Sequence, residues 1–167
     1  MTGARPMVVE LATFPTSFRG AVRHASAVRD ATENIIVRVR TASGAVGVGE
    51  GCPRRYVTGE TVESARTFLR GAAPEAAASA ETVDGLRAWM TGHRESIDAN
   101  PAAFCALELA LLDALAREDR VSVERLLGCP ELNGTFRYTA VIGDSGRWVY
   151  ALLLQRYLSR GIRDFKL

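Results

Sequence analysis

The feature that most restricts what this chain can become is a change in hydrophobic period between Glu50 and Thr58. Before it, Asn34 to Thr41 (NIIVRVRT) alternates, with Ile35, Val37 and Val39 on one face and Ile36, Arg38 and Arg40 on the other. Period two is the mark of a strand with one buried side. Met7 to Phe14 is apolar and β-branched and reads as an earlier strand. Ala42-Ser43-Gly44 supplies turn chemistry before Ala45 to Glu50, where Val46 and Val48 alternate with Gly47 and Gly49. These two runs are expected to form a hairpin, and glycines in a strand permit a neighbouring backbone to approach closely. The simplest assembly is a three-stranded antiparallel meander. Pro15 to Asp30, too polar for a core strand, reads as a long link, and links above about 12 residues are often functional or mobile.

After the change the period is helical. A helix is expected from near Thr58, with Glu60 and Glu63 in its first turn, Val62, Ala65, Phe68 and Leu69 on one face, and Gly71 and Pro74 as its stop. Val83, Leu86, Trp89 and Met90 suggest a second. The strongest pattern follows: Asn100 as N-cap, Pro101 in the first turn, then Phe104, Leu107, Leu111, Leu112 and Leu115 as an apolar stripe, with Ala103, Ala106, Ala110 and Ala114 allowing close approach. Ser122 caps a short helix that Gly128 and Pro130 end. Strands followed by helices indicate an α+β domain, a meander with a helical bundle, over residues 1–134. Arg137 to Ile142, a helix bearing Val149, Leu152, Leu153 and Tyr157, and Ile162 to Leu167 then make a βαβ unit with parallel strands. Residues 135–167 are thus expected to open a βα barrel, which takes about 250 residues to complete.

Composition excludes several classes. The 167 residues carry a formal net charge of +2 with basic side chains scattered, so neither nucleic acid nor a membrane surface is indicated as a partner. No segment approaches the roughly 18 apolar residues of a membrane span, and no signal peptide is evident, so a cytoplasmic location is expected. Cys52, Cys105 and Cys129 lack a Cys-x-x-Cys pair, which argues against a disulfide framework or a zinc site.

Several local motifs carry less than they suggest. Gly47-Val48-Gly49-Glu50-Gly51 has Cys52 where a dinucleotide fingerprint needs its third glycine. Gly143-Asp144-Ser145-Gly146 lacks nucleophile-elbow spacing, leaving Ser145 as an N-cap. His24 and His93 stand outside metal-ligand spacing. Glu108 and Asp113, five apart on one helix, are expected in capping or ion-pair contacts. Arg54 and Arg55, beside Tyr56, could hold a carboxylate.

Taken in order, NIIVRVRT (34–41), GVGE (47–50), YVTGETVE (56–63) and ALELALLDA (106–114) resemble the N-terminal part of enolase-superfamily enzymes. The likeness is to the muconate-lactonising and mandelate-racemase-like subgroup, and to dipeptide epimerases in particular, and it extends from Val8 to Leu167. The resemblance implies an α+β domain capping a modified barrel, and a base that removes the proton α to a carboxylate while Mg²⁺ stabilises the enediolate. Asp164-Phe165-Lys166-Leu167 resembles the start of the family's Lys-x-Lys motif, whose second lysine, the base, would be the next residue. Lys166 would favour the neutral form of that base by like-charge repulsion and polarise the substrate carboxylate. The metal's carboxylate ligands would come from later strands, so no metal ligand is assigned here.

The same resemblance implies that specificity lies in two cap segments, Pro15 to Asp30 and Gly51 to Gly59. Phe18 to Arg23 resembles the F-x-x-A-x-R pattern of dipeptide epimerases, which makes Arg23 a candidate grip on an acidic substrate side chain. Tyr56, and Thr139 on the first barrel strand, are further candidate substrate contacts. The expectation is therefore the N-terminal portion of a racemase or epimerase acting on a small carboxylate, such as a dipeptide, and inactive by itself. Muconate cycloisomerase or o-succinylbenzoate synthase chemistry is the enzymatic alternative. A truncated product, or a non-enzymatic association module that buries its strands against another chain, such as a second copy, is the other.

Overall fold

A computed structural model of the chain describes residues 6–24, 27–143 and 145–166, with the side chains of 22–24 and 27 outside the description. It divides into two compact units, one of Met1–Thr16 with Thr32–Glu131, the other of Ser17–Ala31 with Leu132–Leu167.

Strands β1 (Val8–His24), β2 (Ala27–Arg40) and β3 (Val46–Gly51) form one sheet in the order β1-β2-β3. The β2–β3 pair is antiparallel, with Val37 opposite Gly49 and Val39 opposite Gly47. Gly44, at φ 91°, closes the turn, and its N–H donates to Thr41 C=O at 3.0 Å. The link expected at Pro15 to Asp30 is instead strand, because β1 and β2 continue as a long ribbon. A two-stranded ribbon satisfies its backbone without burying a face, so its side chains need not alternate. Pro15 is tolerated because β1 is an edge strand. Nearer the sheet, Arg38 and Glu10 pair at 2.6 Å across the first two strands.

Helix α1 (Val62–Ser79) begins at a capping box: Ser64 N–H donates to Thr61 Oγ1 at 3.1 Å, and Thr61 N–H to Ser64 Oγ at 2.9 Å. It runs through Gly71 and Pro74, contrary to the expected stop. Its buried side, Ala65, Leu69, Ala73, Ala76 and Ala77, is continuous across that point, and packing outweighs local propensity. Helices α2 (Val83–Gly92) and α3 (Arg94–Asp98) lead to α4 (Pro101–Glu118), the centre of the unit, where Leu107, Leu111 and Ala110 are fully buried. Helix α5 (Val123–Leu126) is capped by Ser122, as expected.

The packing of β3 on α4 organises this core. Gly47, Gly49 and Gly51 share the buried face with Ile35, Val37 and Val39, and a Cβ on any of them would collide with the backbone of α4 at Ala110, Ala106 and Ala102 respectively. Val48 faces outward at 50% exposure. Its N–H, on the outer edge of the sheet, donates to Asp113 Oδ2 at 3.0 Å, which blunts an edge that could otherwise recruit another strand.

In the second unit, β4 (Thr139–Val141) and β5 (Asp164–Lys166) are parallel and joined by α6 (Arg147–Ser159). The N-cap of α6 is Gly146 without a side-chain bond, so Ser145 does not serve as the cap. Among the described residues no helix is long and apolar enough to cross a membrane.

Candidate functional site

Register fixes which way the βαβ unit presents its chemistry. Thr139 lies opposite Asp164, Ala140 opposite Phe165, and Val141 opposite Lys166. Side chains alternate along each strand, so Thr139, Val141, Asp164 and Lys166 share one face and Ala140, Ile142 and Phe165 the other. Tyr157 of α6 meets Phe165 with ring centroids 6.4 Å apart, and Ala140 and Ile142 are buried. Helix α6 therefore covers the second face, and Lys166 stands on the face turned away from it. Lys166 lies opposite Val141, the last residue of β4, and its C=O accepts from Ile142 N–H at 3.0 Å. Thr139 is on the same face but two residues lower, beside Asp164. A cavity of about 330 Å³ opens at the other strand ends, lined by Arg137, Tyr138, Arg160 and Asp164, with Arg137 and Asp164 3.9 Å apart.

In the first unit, Tyr56 is on the turn that follows β3. Val57 and Thr58 N–H donate to Arg54 C=O at 2.9 and 2.8 Å. Arg55 is exposed, whereas Arg54 Nε is buried and has no hydrogen-bond partner among the described residues. Sequence reasoning missed Glu60. Expected in the first turn of α1, it precedes the Thr61 cap, is 2% exposed, and accepts from the N–H groups of Ala102 and Ala103 at 2.8 and 2.9 Å. It thereby caps α4, while the Asn100 side chain, expected in that role, donates back to Ser96 C=O at 2.9 Å. The signal was an acid just before a good N-cap, which local pattern cannot assign to a helix 40 residues away. The backbone of Arg23 belongs to β1, but its side chain lies outside the described residues. The structure thus brings Thr139 and Lys166 onto one face and places Tyr56 in the other unit.

Asp113 makes the expected ion pair, with Arg117 at 2.8 Å, and also accepts from Val48 N–H at the sheet edge. Burial pushes the carboxyl of its neighbour Glu108 up from the ordinary value of 4.5. Burial, then the charges of Glu108 and Cys52, raise the Cys105 thiol above its ordinary value. His93 stacks on Trp89 at 4.2 Å and lies 3.3 Å from Glu75. Among the described residues no three His, Cys, Asp or Glu side chains converge, so the described residues do not fit a Mg²⁺ site.

Known proteins share this fold. The solved dipeptide epimerase from Methylococcus capsulatus, complexed with Mg and the dipeptide L-Arg-D-Lys, superposes with a TM-score of 0.70 at 25% identity, over 95% of this chain and 44% of that one. A muconate lactonizing enzyme from Mycobacterium smegmatis complexed with muconolactone gives 0.81 at 26% identity, over 94% and 42%. The hydrophobic dipeptide epimerase of Citrifermentans bemidjiense is 32% identical over 152 residues, 87% of this chain. The chain spans 40% of that relative's length. The family described as mandelate racemase / muconate lactonizing enzyme, N-terminal domain, matches residues 8–128. With its three-stranded sheet and helices matching as well, the chain belongs to that family.

Proposed function

We propose that this chain supplies the capping domain (residues 1–134) and opening barrel strands (135–167) of an epimerase that removes and returns the proton α to a carboxylate, with a dipeptide as substrate. The observation that carries the reading is Lys166 level with the C-terminal residue of β4, on the face turned away from α6. In βα barrels that end of the strands is where active sites gather. From there its ammonium would pair with the substrate carboxylate and, by like-charge repulsion, keep a lysine two residues on in the neutral form that a base requires. Thr139 would offer its hydroxyl lower on the same face, and Tyr56 and Arg23 would contact the substrate from the cap. Arg23 favours an acidic substrate side chain, because a guanidinium meets a carboxylate in two parallel hydrogen bonds. The Citrifermentans relative, by contrast, is named for hydrophobic dipeptides.

The test is exchange of the α-hydrogen in D₂O by the complete enzyme, this chain joined to its barrel, with and without Mg²⁺, on a panel of acidic and hydrophobic dipeptides. Exchange is expected, with Lys166→Ala lowering kcat by about 10²-fold or more. Arg23→Met is expected to weaken acidic substrates selectively. No exchange on any dipeptide would remove the assignment. The likeness to the muconate lactonizing enzyme favours cycloisomerisation as the second reading, tested by lactone formation from muconate.

A further inference from the structure

We propose that Glu60 is a positioning residue for the segment Cys52–Gly59, holding in place the loop that carries Tyr56. The part of this inference that concerns substrate rests on the reading of Tyr56 as a contact. Both ends of the segment stand on the same turn of α4. At its start, Gly51 lies against the Ala102 backbone so closely that a Cβ there would collide with it. At its end, both oxygens of the buried Glu60 carboxylate are taken by Ala102 and Ala103 N–H, at 2.8 and 2.9 Å. Between the two, Arg54 C=O gathers Val57 and Thr58 N–H, and Gly59 at φ 77° turns the chain toward α1.

A helix leaves its first N–H groups without partners of its own. Here the side chain of Asn100 is turned away, and Glu60 supplies the carboxylate that the helix dipole favours. Because the bonds run from a residue at the loop's edge to a helix far away in sequence, the cap of α4 is also the clasp of the loop. Releasing it frees one foot of an eight-residue segment while the Gly51 foot and the body of α4 stay in place.

Trypsin digestion of the 167-residue chain tests the clasp. In Glu60→Ala, cleavage after Arg55 is expected to accelerate by about tenfold or more, since cleavage follows the population of the opened segment, and by clearly more than cleavage after Arg117 in α4, which reports the stability that the helix loses with its cap. Glu60→Gln, which retains one carbonyl acceptor, falls between. Thr61→Ala, which loses the α1 cap but keeps Glu60, leaves Arg55 cleavage unchanged. Wild-type cleavage after Arg55 in Glu60→Ala, equal acceleration at both sites, or acceleration in Thr61→Ala would each overturn the proposal. In the complete enzyme, Glu60→Gln is expected to raise KM several-fold with kcat within about twofold. If Tyr56→Ala leaves KM unchanged although Glu60→Ala still frees the segment, the reading of Tyr56 falls and the clasp stands.

Discussion

A methyl group on Gly49 would lie inside the contact distance of Ala106 O and Ala110 N, both backbone atoms that a side-chain rotation cannot move. Gly49→Ala is therefore expected to cost about 3 kcal/mol in denaturant unfolding. Gly71 is the internal contrast. It lies on an exposed position of α1 with open space around it, so Gly71→Ala is expected to stabilise by about 0.5–1 kcal/mol through helix propensity. Glu108 gives a pH-dependent test. Its folded carboxyl titrates above the ordinary 4.5, so between those values the folded state binds more protons than the unfolded one, and stability falls as pH rises through that window. Glu108→Gln removes the penalty. Its Tm is expected to exceed that of the wild type at pH 7, and the difference to vanish near pH 4.

At the scale of elements, capping separates two threonine and asparagine positions that look alike in sequence. Thr61 accepts from Ser64 N–H, so Thr61→Ala is expected to cost about 1 kcal/mol. Asn100 does not cap α4 by its side chain, and Asn100→Ala is expected to cost clearly less, measured by thermal unfolding of the same chain. Legibility followed the same line. The β2–β3 hairpin was readable because Ile35, Val37 and Val39 alternate against a buried face and Gly44 sits where a left-handed residue is needed. The outer ribbon was not, since strands exposed on both sides carry no period. The length of α1 was misread at Pro74 because the alanines that continue its buried side are a weak hydrophobic signal. Glu60 was not legible at all, because its partners are tertiary.

At the scale of the whole molecule, the second unit leaves several large apolar side chains exposed. Trp148 is 76% exposed and Leu152 66%, four residues apart on α6, while Val141 is 63% exposed on the strand face turned away from that helix, and exposed apolar surface of this kind drives association. Purified as 167 residues, the chain is expected to self-associate as concentration rises, and Trp148→Lys with Leu152→Lys to reduce that; sedimentation velocity measures it. The first unit has a different character, because its strand and helix act as two rulers laid side by side. Alternate strand residues advance about 6.6 Å and every fourth helix residue about 6.0 Å, so the marks at Gly51, Gly49 and Gly47 fall near those at Ala102, Ala106 and Ala110. The drift reaches only about 1.2 Å over the three. Sliding the helix by one residue would turn Leu107 and Leu111, or Leu109, toward a strand face built from glycines with no room for them. The interlock thus works as a vernier with one setting, and it fixes the height at which the first turn of α4 meets everything built upon it.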